Sequence, residues 1–134
     1  MALKAPDLVR LVTSGAAEIA GLADRLGTVE VGRVADLTIL QKRLDDPYDT
    51  VLAAYPSWVD LVMIGGDIIY GRPDWVADLS TADDYEQVTA WGRHMLLDTR
   101  FGSPEDSGDG PPRRLAQIRA KLIGRYPAVG PIFA

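Results

Sequence analysis

The spacing of apolar residues changes period twice along the chain, once near Leu26 and again near Ser80. Pro6 and Asp7 suit the opening of a short helix through Val12, and Thr13 or Ser14 can cap a second helix with Glu18 near its first turn. In that second helix Ile19 and Leu22 lie three apart and Ala16 and Ala20 four apart, so a small-residue face can press against another element. Past Leu26 the period drops to two. Val29 and Val31 alternate with Thr28 and Glu30 between Gly27 and Gly32, which predicts a half-buried strand between two turns. Ala35 to Leu40 is apolar except at Asp36 and Thr38 and predicts a second strand, covered on both sides.

Gln41 to Tyr48 is polar and holds the turn signal Asp45-Asp46-Pro47, while Thr50 to Tyr55 fits either one helical turn or a strand, ended by Pro56. Trp58 to Ile64 is the strongest strand pattern, and Gly65-Gly66 turns it into Asp67 to Tyr70 as a hairpin. Val59, Leu61 and Met63 share one face of that strand and Trp58, Asp60, Val62 and Ile64 the other, so a central position is expected. Arg72-Pro73-Asp74-Trp75 leaves the sheet. Ser80 or Thr81 then caps a predicted helix with Asp83, Asp84 and Glu86 in its first turn and Tyr85, Val88, Trp91 and Met95 as its apolar stripe. Phe101 to Pro112 holds three glycines, three prolines and three acids and reads as a linker. Beyond it, Arg113 to Tyr126 predicts a helix with Leu115, Ile118, Leu122 and Ile123 on one side, and Pro127 to Ala134 adds the apolar Val129, Ile132 and Phe133.

The pattern describes an α+β domain without a complete barrel. Its segments are short helices over 1–25, a small antiparallel or mixed β-sheet over 26–72, an acidic helical segment over 73–100, a linker over 101–112, and a basic amphipathic helix with an apolar tail over 113–134. With 134 residues, 47% hydrophobic and 25% charged, one small domain can bury about two-thirds of its surface. No internal repeat is present.

Charge and cysteine content narrow the partners. A net charge of −5 excludes the overall basic balance that phosphate binding uses, so nucleic acid is not expected. The absence of cysteine rules out disulfides and thiolate metal sites and suits the cytoplasm. Residues 1–7 lack the apolar segment of a secretory signal, and no run of 18 apolar residues appears. The 113–126 segment has five bases and no acid, the composition of a membrane-surface helix. Because Asp78 to Asp109 carries eight acids against two arginines, docking on protein is favoured over membrane.

The ordered series Thr13-Ser14-Gly15-Ala16-Ala17, Leu26-Gly27-Thr28-Val29, Gly32-Arg33-Val34-Ala35-Asp36-Leu37 and Val59 to Gly71 resembles the carboxyl end of the amidohydrolase superfamily, of the cytosine deaminase, chlorohydrolase and dihydroorotase kind. The resemblance spans about residues 8 to 72. It implies that 1–25 correspond to the end of a catalytic barrel and 26–72 to the composite β domain beside it. Enzymes of this kind are metal-dependent hydrolases of C–N bonds that hold zinc or iron with a His-x-His, further histidines or a modified lysine, and an aspartate. This chain has one histidine, His94, and no His-x-His. A barrel also needs roughly 200 residues or more. The divalent metal is therefore expected only in the missing barrel, and no catalytic, cofactor-binding or metal-binding residue is assigned within this chain.

Three acids test that assignment. Asp36 as a metal ligand lacks a neighbouring histidine, and the corresponding family aspartate lies outside the metal site. Asp36 and Asp60 both sit in apolar strands and need a partner, for which Arg33, Arg43 and Arg72 are candidates. His94 and Asp98, four apart on the expected helix, lack a nucleophile and oxyanion site and read as an exposed or satisfied pair. Two functions are open: a fragment or truncated relative of a metal-dependent amidohydrolase, inactive alone and partnered by the rest of the enzyme, or a stand-alone assembly module built on its β domain. In either case the missing covers predict a homo-oligomer, most simply a twofold dimer.

Overall fold

The computed structural model describes residues 3–81, 85–98 and 115–129. The linker expected over 101–112, and Ile132 and Phe133 of the apolar tail, lie outside them. In chain order the elements are α1 (Ala5–Val12), α2 (Ser14–Ala20), β1 (Leu37–Leu40), α3 (Pro47–Leu52), β2 (Val59–Ile64), β3 (Asp67–Gly71), α4 (Pro73–Leu79), β4 (Glu86–Ala90), β5 (Arg93–Leu97) and α5 (Leu115–Arg125). The strands form one antiparallel sheet in the order β1-β2-β3-β5-β4. The α+β class and the interior place of β2 agree with the sequence reading, although Trp58 ends a 3-10 turn over Pro56–Trp58 instead of joining the strand, and the described residues form no barrel.

Local chemistry accounts for the helix ends. The Asp7 carboxylate accepts the Lys4 backbone N–H at 2.9 Å and closes the start of α1. Thr13 precedes α2 but its side chain does not cap it; the hydroxyl donates back to the Val9 carbonyl of α1 at 2.8 Å. Asp46 caps α3 by accepting from the Tyr48 and Asp49 amides, which resolves the open choice for residues 50–55 in favour of a helix ending at Leu52. Pro73 stands in the first turn of α4.

The helix expected from Ser80 or Thr81 onward is corrected. Tyr85, Val88, Trp91 and Met95 are spaced like a helical stripe, yet residues 86–97 form a hairpin, with Ala90 opposite Arg93 across the two-residue turn Trp91-Gly92. Both turn residues have positive φ, 50° and 74°, the geometry that matches the twist of antiparallel strands. Met95 is then buried by strand alternation, as are parts of Val88 and Leu97. Gly92 was the overlooked signal.

Two further expectations fail near the amino end. Val29 and Val31 do alternate, but no strand forms over 28–31 and both valines are exposed, because no neighbouring strand offers hydrogen bonds. Ile19 and Leu22 are exposed as well; the contact face of α2 is Ala17, against which Gly27 turns with φ 95°. A Cβ on Gly27 would stand 2.8 Å from Ser14 Cα and Ala17 Cβ. β1 is covered less than expected, since Thr38 is exposed.

One buried cluster lies on a single face of the sheet, while Met95, 1% exposed, alternates with Leu96 to the other face. Ile39, Leu61, Gly71 and Leu96 face one another across four strands, and Leu61, Ile68 and Val76 are the buried centre of that cluster. Gly71 leaves room for α4: a Cβ there would come within 3.0 Å of Val76 Cγ2. The Tyr85 hydroxyl donates to the Ile68 carbonyl at 3.0 Å, tying the entry to β4 onto β3.

The hairpin makes an opposite prediction from a helix at the same residues. Gly92→Ala is expected to lower stability by about 1–2 kcal/mol in urea unfolding, and Trp91→Asn to raise it by about 0.5–1 kcal/mol. In a helix, Gly92→Ala would instead stabilise by about 1 kcal/mol.

Candidate functional site

The densest polar cluster among the described residues is built around Asp60, which is 6% exposed near the start of β2. Its Oδ1 accepts from Gln41 Nε2 at 2.9 Å and from Arg93 Nη2. Arg72 Nη1 lies 3.9 Å from Oδ2. Arg93 also donates through Nη1 to the carbonyls of Ser57 and Val59, at 2.8 and 3.0 Å. Arg43 donates to Gln41 Oε1, so the side-chain chain runs Arg43, Gln41, Asp60, Arg93.

Of the candidate partners named from sequence, Arg72 touches Asp60, Arg43 reaches it only through Gln41, and Arg33 is elsewhere. Arg33 donates to the Ala23 carbonyl and to Glu30 Oε2, at 3.3 Å for the latter, and so ties the 21–36 loop. Arg93 and Gln41 were missed. The sequence reading places Arg93 in a helix; as the first residue of β5, which pairs with β3, it reaches past the end of β3 to the start of β2. Gln41 follows β1 directly, where the register with β2 shifts.

Among the described residues Asp36 has no arginine partner. Its carboxylate accepts the Gly65 amide at 2.7 Å, while the Gly66 amide donates to the Ala35 carbonyl at 3.1 Å. The Ala35-Asp36 pair therefore pins the turn between β2 and β3, a structural task that keeps the carboxylate hydrogen-bonded at the surface. His94 lies exposed on β5 opposite Thr89. In a strand, four residues span about 13 Å, so the helical pairing of His94 with Asp98 does not exist.

Electrostatics follow the same contacts. Burial pushes the Tyr70 phenol above its ordinary value of 10.0, with the nearby Arg93 charge pulling the other way. Asp74 is opposed by desolvation, yet its hydrogen bonds from Arg72, at 3.0 and 2.6 Å, and the Arg72 charge hold its carboxyl below the usual 3.8.

The cluster is suited to holding strands rather than to reaction. A general base must reach a substrate proton, whereas Asp60 is buried and its Oδ1 already accepts from two side chains. Among the described residues, every buried side-chain polar atom has a partner, and no three His, Cys, Asp or Glu side chains gather as a metal-ligating group. Two open features among the described residues lie along α5. One groove of about 420 Å³ is lined there by Gln117, Ile118, Lys121, Leu122 and Arg125, and another of about 440 Å³ runs between α5 and Glu86 and Gln87 of β4. No described helix is long and apolar enough to cross a membrane.

Residues 1–69 match the family model described as the amidohydrolase family. The match takes in α1, α2, β1, α3, β2 and the first residues of β3. No curated protein matches the chain.

Removing Arg93 strands a buried carboxylate, so Arg93→Ala is expected to cost about 2–4 kcal/mol in urea unfolding. Arg72→Ala, at a longer and more exposed contact, should cost about 1 kcal/mol or less. Equal losses would mean that Arg93 is not the principal partner. For Tyr70 the raised phenol pKa favours the neutral form in the fold. Its stabilisation is full below pH 10.0 and is lost as pH rises through the folded value, so Tyr70→Phe should flatten the alkaline fall of stability.

Proposed function

The chain belongs to the amidohydrolase family, and on that premise we propose that it is a carboxyl-terminal portion or shortened relative of a metal-dependent amidohydrolase whose chemistry resides in a barrel supplied elsewhere. The observation that carries this reading is the contrast between the match and the donor set. The family's metal needs about three convergent protein ligands, histidine foremost. This chain offers a single histidine, placed exposed on β5, and no cysteine. The residues present do not fit the ion, and no hydrolytic step is derived through it.

In this reading residues 1–69 supply scaffolding for a C–N bond hydrolase, with the remainder of the enzyme as partner and zinc or iron bound there. The kinship to cytosine deaminases, chlorohydrolases and dihydroorotases belongs to the same proposal and rests on the motif series from Thr13 to Gly71. A cytoplasmic location accords with the absence of cysteine. A second reading, an assembly module reusing the β domain, is favoured by one observation: β4 and β5 lie outside the matched residues yet extend the same sheet.

The purified chain is expected to carry no stoichiometric zinc or iron and to hydrolyse no amide, amidine or cyclic imide. Elemental analysis with a hydrolysis assay checks this. One equivalent of zinc, with activity lost in His94→Ala, would overturn the proposal. Reading the DNA upstream of Met1 separates the two functions, because an in-frame barrel with His-x-His supports the enzyme portion and a stop codon the module.

A further inference from the structure

We propose that two copies of this chain exchange helices, with α5 of each seated on the α3 corner of the other in a twofold dimer. On α5, Ile118, Lys121, Leu122 and Arg125 follow the spacing that puts four side chains on one helical face. Ile118 and Leu122 are each 39% exposed, and this face lines the 420 Å³ groove. The described residues of α5 include bases and no acid.

The α3 corner carries the same mixture with the charge reversed. Asp45 and Asp49 are exposed there, and Tyr48 and Leu52, four apart, are exposed beside them. Asp46 is engaged as the α3 cap, so Asp45 and Asp49 are the acids available to a partner. An acid-and-apolar surface of one copy thus answers a base-and-apolar surface of another. The two belong to different margins of one molecule. α3 joins β1 to β2, whereas α5 begins against β4, the opposite edge strand, where the Leu115 amide donates to Glu86 Oε1 at 2.8 Å. A second copy brings them together, and a twofold axis uses each surface once per subunit.

The charges set partner choice and register, while Ile118, Leu122, Tyr48 and Leu52 supply the affinity. A stable interface hides about 800 Å² per partner, and the reciprocal arrangement gives each subunit two patches to bury.

Sedimentation equilibrium of the full chain at micromolar concentration tests the proposal, with circular dichroism to confirm folding. The wild type is expected to sediment as twice its 14.5 kDa mass. Lys121→Glu with Arg125→Glu makes both surfaces acidic, and Asp45→Lys with Asp49→Lys makes both basic. Each variant should associate about tenfold or more weakly. Mixed one to one, the two variants regain both matched contacts and should dimerise again. If either variant departs from the wild-type dichroism, Ile118→Ser with Leu122→Ser replaces it and must give a monomer. A 14.5 kDa wild-type monomer, variants that dimerise unchanged, or a folded mixture that fails to recover would each overturn the proposal. So would a monomer that floats with phosphatidylglycerol vesicles, which would make a lipid surface the occupant.

Discussion

A buried carboxylate near the start of an interior strand is the constraint that the rest of the structure must meet. Asp60 is almost fully removed from water, and an unpaired charge in such a place costs several kcal/mol. β3 is flanked on its far side by β5 rather than by the strand that comes next in sequence. That order delivers the Arg93 guanidinium to Asp60 and to the carbonyls of Ser57 and Val59, where the chain enters β2. One planar fork serves three acceptors, a task for which a lysine ammonium lacks the geometry. The charge in β2 therefore favours one docking of the β4–β5 hairpin over its alternatives.

The opposite face of the same strands is held by packing. Leu61, Ile68 and Val76 form its buried centre, and Gly71 permits α4 to approach because a side chain there would meet Val76. Leu11, Val12, Ile19, Val29 and Val31 remain exposed on the amino-terminal helices and loop.

Family membership and structural completeness divide the chain differently. The amidohydrolase match ends at residue 69, inside β3, yet the principal partner of Asp60 comes from residue 93. A buried charge within the family portion is thus satisfied from beyond it. Gly71 and Val76, which close the other face, also lie past the match. The later residues are structurally part of the same sheet.

Features set by a few adjacent residues were legible in the sequence. Gly65-Gly66 between two apolar runs specified the β2–β3 hairpin, and Pro6 and Asp7 the start of α1. The tertiary structure decided where one pattern admits two periods or where a group needs a distant partner. Residues 85–95 carry apolar positions compatible with a helix, and pairing of Gly71 with Leu96 made them strands. Val29 and Val31 carry a strand pattern without a strand beside them, and so remained a loop. Asp60 announced that it needed a cation, but its identity depended on strand order. Side-chain period is local, whereas strand hydrogen bonds and buried ion pairs join residues tens of positions apart.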